Sequence, residues 1–337
     1  MQTVTLFATL LLAGAVDKKL EVYWIDVEGG GATLIVTPAG ESVLIDAGNP
    51  GDRDPKRIHD TATRVAGLKT INHVIVTHLH VDHFGGVAEL AALMPIGTLY
   101  ENGIDSAPEQ ERNHVAVAAF RNAKVGKRVA VKPGMRIALK GVAGAAAAKL
   151  TFLAARQEFV ATKGRANQAA CAVARTKGPD ASDNANSVAT LLELGAFRMF
   201  DGGDLTWNVE GKLVCPSDRV GAVDVYQSNH HGLDVSNNPV LVHTLRPTVA
   251  VFNNGPRKGC QPESFATVTA SPGIEGVYQV HKNLVEGAKN TQDDLIANQK
   301  DEGCGAYVKM SVDSGGTSYT MLLPSTNHER TYKTKKK

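Results

Sequence analysis

The chain has 337 residues, 43% of them hydrophobic and 21% charged, with 33 glycines and a net charge of only +2. That length and composition allow a core of ordinary size, in one large domain or two small ones. Aromatic residues at 5% are too few for a single-strand stacking platform, and the small charge gives no footprint for duplex DNA. A small-molecule substrate is therefore expected, and long nucleic acid is not.

Residues 1–16, "MQTVTLFATLLLAGAV", are apolar and uncharged, and end near Ala13-Gly14-Ala15. They read as a signal-like segment that lacks the basic start of a full secretory signal. The segment is shorter than the roughly 20 apolar residues of a spanning helix, so no stable membrane span is expected. Export places the protein in the periplasm or outside the cell; without it the protein would stay cytoplasmic. Strands follow at "LEVYWIDV" (20–27), "ATLIVT" (32–37) and "SVLIDAG" (42–48), separated by turn residues as in a meander. A helix is predicted over 54–67, with Asp54 as N-cap and Pro55 at its first position. "NHVIVTH" reads as a short buried strand and "GGVAELAALM" as a helix.

A helix is predicted near 109–124, and "KPGMRIALKG" reads as a turn leading into a strand. The polar stretch 156–186 is expected to be a long loop, a candidate lid or pocket wall. "NSVATLLELGAFRMFDGGD" (186–204) reads as a hairpin. Strands at 223–228 and 248–254 alternate with helices near 238–245 and from Pro262. The order of β-runs then β/α alternation, twice, fits a two-sheet core with helices outside. The closing "RTYKTKKK" reads as a solvated tail. Cys171, Cys215, Cys260 and Cys304 form no C-x-x-C pair, so either one or two disulfides or four separate thiols are open.

The chemistry is concentrated in "VTHLHVDHFGG" (76–86), where three histidines and an aspartate crowd into six residues. Each such group left buried without a partner costs about 1–3 kcal/mol. A bound metal would satisfy all four at once. His78 and His80, two apart in extended backbone, can point the same way, and Asp82 and His83 follow on the turn. Imidazole and carboxylate donors suit zinc, and accept manganese or iron. Further candidates also follow apolar strands: Asp204 in "FDGGDLTWN" and His230-His231 in "VYQSNHHGLD". "DVEGGGAT" (26–33) lacks the Lys-Ser/Thr of a phosphate loop and reads as a tight turn near the site. "NNGPRKG" (253–259) offers Asn253, Asn254, Arg257 and Lys258, either lining a pocket for an anion or as a solvated loop.

His78-Leu79-His80-Val81-Asp82-His83 matches the H-x-H-x-D-H signature of metallo-β-lactamase-fold hydrolases. "LIDAG", "GD" at 203–204 and "HHG" at 230–232 match that family's other landmarks in order. The chain resembles the family over about residues 20–325. It looks most like the hydrolase domain of bacterial competence (DNA-uptake channel) proteins and their free-standing exported relatives. The resemblance implies an αββα four-layer sandwich, two mixed sheets with helices outside, as a single domain over 17–327; the basic residues of 328–337 read as a disordered tail beyond it. It also implies two divalent metal ions, first of all zinc. His78 and His80 would hold the first, Asp82, His83 and His231 the second, and Asp204 would bridge them.

Asp46 is expected to orient ligands from behind, and Asp82 and His230 to act in catalysis. The family's usual third histidine on the first metal is missing from "DNANSV". Asn186 is the candidate weak ligand there, and His114 the nearest upstream histidine. The implied reaction is hydrolysis by a metal-held hydroxide, on a phosphodiester or other phosphoester. The alternatives are lactones, β-lactams or other cyclic amides, and a non-hydrolytic metal-binding module.

Overall fold

The β-branched runs of the first third form strands Leu20–Ile25, Thr33–Val36 and Ser42–Ile45, paired antiparallel in sequence order. The computed structural model describes residues 18–301 and 305–336; the signal-like segment 1–16 and Cys304 lie outside the described residues. Ser42–Ile45 then pairs in parallel with Ile71–Val76, and the series continues in parallel through Ile96–Glu101 to Val125–Ala130. On the other side of Leu20–Ile25 lie Tyr307–Val312, Ser318–Leu323 and His328–Lys333, all antiparallel. This is one nine-stranded mixed sheet.

The second sheet repeats the mixture. The hairpin Ala189–Leu194 with Phe197–Asp201 pairs antiparallel with Ala148–Ala155. From Phe197–Asp201 the sheet continues in parallel through Val225–Gln227, Val249–Phe252, Gly276–His281 and Ile296–Asn298. Leu20, Trp24, Ile35 and Met310 of the first sheet meet Phe152, Phe197, Val249 and Tyr278 of the second in one buried cluster. The outer faces are buried as well. Leu44, Val74 and Leu99 pack on Ile58, Phe84 and Leu90, while Phe200, Tyr226 and Ala250 pack on Val209, Leu213 and Leu241. The layers therefore run helix, sheet, sheet, helix, the αββα sandwich. Strands covered on both faces read as continuous apolar runs, as "VAVF" does at 249–252.

Several boundaries differ from the sequence reading. The first helix begins at Arg53, and its N-cap is Asp52. Asp54 lies inside the first turn, where its carboxylate accepts from the Asn49 backbone N–H at 2.8 Å. The helix expected at 109–124 is two pieces, Glu109–Arg112 and Val117–Asn122. The stretch 156–186 is largely irregular but carries the short helix Gln168–Ala172, tied by a Cys171–Cys215 disulfide to the end of the helix Trp207–Val214. Cys260 is a buried free thiol.

The tail expected to be solvated from residue 328 instead forms the edge strand His328–Lys333. Its single apolar anchor, Tyr332, is buried and shares a 2.8 Å hydroxyl contact with Tyr278. The charged residues around it face solvent, as suits an edge that must not pair further. Among the described residues no helix is long and apolar enough to cross a membrane.

Candidate metal centre

The candidate residues converge at the carboxyl ends of the parallel strands, where open α/β sheets place their ligand sites. Strand Ile71–Val76 delivers Thr77 and His78. His80 then caps a one-turn helix, Val81–Phe84, so Asp82 and His83 sit on a short helix rather than on an open turn. Asp204 follows the hairpin strand Phe197–Asp201, and the histidine pair follows Val225–Gln227 in a turn where His230 (φ 52) and His231 (φ 54) are both left-handed. Two successive non-glycine residues in that region are costly unless the surroundings hold them.

Here Glu210, fully buried, accepts from Asn229 Nδ2 (2.6 Å) and from the backbone N–H of Asn237 (2.8 Å) and Asn238 (2.7 Å). Asn237 in turn donates to the Asn229 carbonyl at 3.0 Å, closing the turn. Burial pushes the Glu210 carboxyl up to about 7.

Two groups of donors result. His78, His83 and Asp204 form one, and Asp82, His83 and His231 the other. Asp204 Oδ2 lies 3.2 Å from His83 Nε2, 3.3 Å from His231 Nε2, 3.4 Å from His230 Nε2 and 3.9 Å from His78 Nε2. Asp82 Oδ2 is 3.5 Å from His83 Nε2 and 3.4 Å from His231 Nε2. Behind them, Asp46 accepts from Thr77 N and Thr77 Oγ1, each at 2.8 Å, and its Oδ2 meets His83 Nδ1 at 2.7 Å. That contact directs Nε2 of His83 into the cluster.

The glycine run 29–31 explains itself here. A Cβ on Gly30 would lie 2.4 Å from the Asp82 carbonyl oxygen, and one on Gly31 would lie 2.9 Å from Asp46 and from His83 Nδ1. The tight turn is the floor on which the ligand helix rests.

Charge in this cluster is strongly perturbed. Burial alone would raise the Asp204 carboxyl, but His231, His83 and His230 hold it well below the usual carboxylate range. For His83, burial opposes protonation, yet Asp204, Asp46 and Asp82 raise it well above an ordinary imidazole. Burial, with His83 adding to it, lowers His78. Burial also lowers His230, to about 4, leaving it neutral. The carboxylates thus demand positive charge in a dry place.

The donors themselves fit a metal. His78 Nε2 and Asp204 Oδ1 are buried with no hydrogen-bond partner, an arrangement that costs free energy unless something else binds there. Imidazole nitrogen with carboxylate oxygen is a donor set for zinc, manganese or iron.

Not every expected residue joins. His80 sets its ring edge-on to that of His78, 4.7 Å between centroids, but its Nε2 faces Glu111 Oε1 at 3.5 Å and belongs to neither group. Asn186 turns away, donating to Asp183 Oδ1 at 2.9 Å and accepting from Gln157. The reason is the 3-10 turn Asp183–Asn186, which fastens Asp183 Oδ2 to the Leu79 N–H at 2.6 Å. Asn184 stands by the site in its place, with Nδ2 3.5 Å from His230 Nε2 and a buried, unpartnered Oδ1. Nothing in the spacing of "DNAN" separates the two asparagines. His114 sits beside Glu111 and His80, lining a small cleft of about 190 Å³.

His231 belongs to the second group, whereas His230 opens on a cleft of about 430 Å³ walled by Lys177, Pro179, Asp180, Asn184 and Trp207. Part of the polar 156–186 stretch is therefore a cleft wall. A larger cavity of about 560 Å³ lies under the Gln168–Ala172 helix and includes none of the clustered histidines.

Asp46→Asn is expected to weaken metal binding by about 10–100-fold, as loss of a carboxylate behind a ligating imidazole does. Competition against a chromophoric chelator measures this. Affinity equal to the parent protein would leave Asp46 with no part in orienting His83.

A model of the metallo-beta-lactamase superfamily matches residues 26–137 of the chain. Among solved structures, the metallo-beta-lactamase fold protein YhfI from Bacillus subtilis is 14% identical over 77% of this chain and 96% of its own, with a TM-score of 0.46. Zinc-bound PqqB from Methylobacterium extorquens is 14% identical over 62% of this chain and 72% of its own, with a TM-score of 0.37. A metallo-beta-lactamase from Hirschia baltica is 17% identical over 52% of this chain and 60% of its own, with a TM-score of 0.30. No curated protein matches the chain significantly. The matched stretch covers both the glycine turn and the ligand helix, and with the two mixed sheets between outer helices the chain has the metallo-beta-lactamase fold.

Proposed function

We propose that the protein is a metal-dependent hydrolase of a small phosphodiester or other phosphoester. The observation that carries this reading is the convergence of Asp82, Asp204, His78, His83 and His231, with His78 Nε2 and Asp204 Oδ1 buried and unpartnered. Two divalent ions held there, zinc before manganese or iron, would supply Lewis acidity and ionise water near neutral pH. In this reading His78 would serve the first ion, Asp82, His83 and His231 the second, and Asp204 both.

The chain's own groups do the rest. Asp46 keeps Nε2 of His83 turned inward, and the Asp82 carboxylate orients the attacking water and takes up its proton. His230, neutral and at the mouth of the 430 Å³ cleft, stabilises charge on the substrate oxygen or protonates the leaving group. The "NSVATLLELGAFRMFDGGD" and "HHGLDVS" segments, which resemble competence-type hydrolase domains, favour phosphorus over carbonyl centres. An exported location belongs to the same reading; the Cys171–Cys215 disulfide supports it, because such bonds persist in oxidising compartments.

Elemental analysis of protein purified without chelator is expected to give about two divalent ions per chain. A panel of phosphoesters, lactones and β-lactams should then show phosphodiester turnover that chelation removes and added metal restores. No bound metal and no uptake would sink the reading. Turnover confined to lactones or β-lactams would move the substrate to carbonyl centres, and full metal with no turnover would leave a binding module.

A further inference from the structure

We propose that Lys258 is the residue that selects an anionic substrate at this centre, gripping an ionised oxygen of the phosphoester from the solvent side. The inference rests on the hydrolase reading and names its substrate charge. Lys258 lies in the "NNGPRKG" turn that follows strand Val249–Phe252, closed by a 2.8 Å bond from Gly255 N to the Lys258 carbonyl. Its ammonium touches Asp82 Oδ2, the same oxygen that lies 3.4 Å from His231 and 3.5 Å from His83. Among the described residues it is the only lysine or arginine ion-paired with Asp82 or Asp204. Arg257, its neighbour, points the other way and pairs with Asp301.

Two features distinguish this contact from an ordinary surface pair. The first is exposure. The Lys258 side chain is 38% exposed, whereas those of His78, His83, Asp204 and His231 are at most 2% exposed. The cation therefore sits on the open side of a closed donor cluster, where a substrate must arrive. An ammonium has three donors, and one carboxylate oxygen uses one of them, leaving two for a phosphoryl oxygen.

The second is support. A Cβ on Gly29 would lie 3.0 Å from Lys258 Cβ, and one on Gly255 would lie 2.4 Å from the Glu28 carbonyl. The glycine turn and the lysine turn are thus packed backbone to backbone. The base of Lys258 is held in place before any ligand binds, which lowers the entropy lost on binding. Neutral lactones and amides have no use for such a group, whereas a phosphodiester carries its charge at the reacting centre.

The test uses full-length, metal-loaded protein with Lys258→Met and Lys258→Arg, their metal content verified first. Binding of inorganic phosphate is measured by calorimetry at fixed ionic strength. KM and kcat are measured for bis(p-nitrophenyl) phosphate and for neutral p-nitrophenyl acetate. The expected result is phosphate affinity weakened about tenfold in Lys258→Met, with a matching rise in phosphodiester KM and recovery in Lys258→Arg. The ratio of kcat/KM for the anionic over the neutral substrate falls with it. Unchanged phosphate affinity overturns the proposal, as does loss of metal in Lys258→Met, which would make the lysine a support for Asp82 alone. The phosphate arm decides the question even if neither ester is turned over, and that second outcome would count against the hydrolase reading instead.

Discussion

Asp204→Ala will abolish turnover and strip metal from the protein while leaving its fold in place. Asp204 Oδ2 lies within 3.9 Å of four imidazoles, His78, His83, His230 and His231, and its Oδ1 is buried without a partner. Among the described residues no other carboxylate reaches so many of the candidate donors. Removing a group that only supports a ligand lowers metal affinity or activity by about 10–100-fold, so removing one shared by both donor groups should exceed about 100-fold. The fold should survive because the side chain lies at the rim of the sheets and outside the three apolar clusters. Activity, elemental analysis and circular dichroism on one preparation test this together. Near-parental turnover would end the bridging role.

The histidine pair should split by function. His231→Ala is expected to lose metal, because His231 Nε2 lies 3.1 Å from His83 Nε2 and within 3.4 Å of both Asp82 and Asp204. His230→Ala is expected to keep metal and lose rate on the order of 100–1,000-fold, as removal of one donor to developing charge typically does. Its ring reaches Asp204 at 3.4 Å but diverges from His231, with 6.1 Å between centroids, and opens on the cleft beside Asn184. The left-handed turn held by Glu210 and Asn237 produces that divergence. The reverse pattern, metal loss in His230→Ala and a slowed but loaded His231→Ala, would exchange the two roles and leave the two-ion reading standing.

Much of this centre was legible in the chain order alone. A strand that ends in H-x-H-x-D-H brings its donors to one sheet edge, because side chains at fixed short spacing cannot scatter. Asp46 came from the family resemblance, and the structure sets it at the end of the strand paired in parallel with the one that leads to the ligand loop. The same locality made the meander, the 186–204 hairpin and the 238–245 helix readable, each set by its own turn residues and period. Where local signals were weak the sequence left the choice open. Asn186 and Asn184 have the same side chain two positions apart, and only the 3-10 turn pinned by Asp183 to Leu79 decides which one faces His230. His80 carries the right spacing, yet Glu111, far off in sequence, draws its ring aside.

The sequence by itself determined the donor types, their order and their place after apolar strands, because these follow from neighbours within a few residues. Only the tertiary structure decided three other things. It chose Cys171–Cys215 among the possible pairings. It turned Lys258 inward onto Asp82 and Arg257 outward onto Asp301. It also brought residues 307–333 back to the first sheet, with Tyr332 anchoring a strand whose other residues read as tail. Each of these depends on contacts between segments tens to hundreds of residues apart. Such pairings are set by which apolar faces remain to be covered and which charges remain to be met once the local elements have formed, and no single stretch of sequence records that.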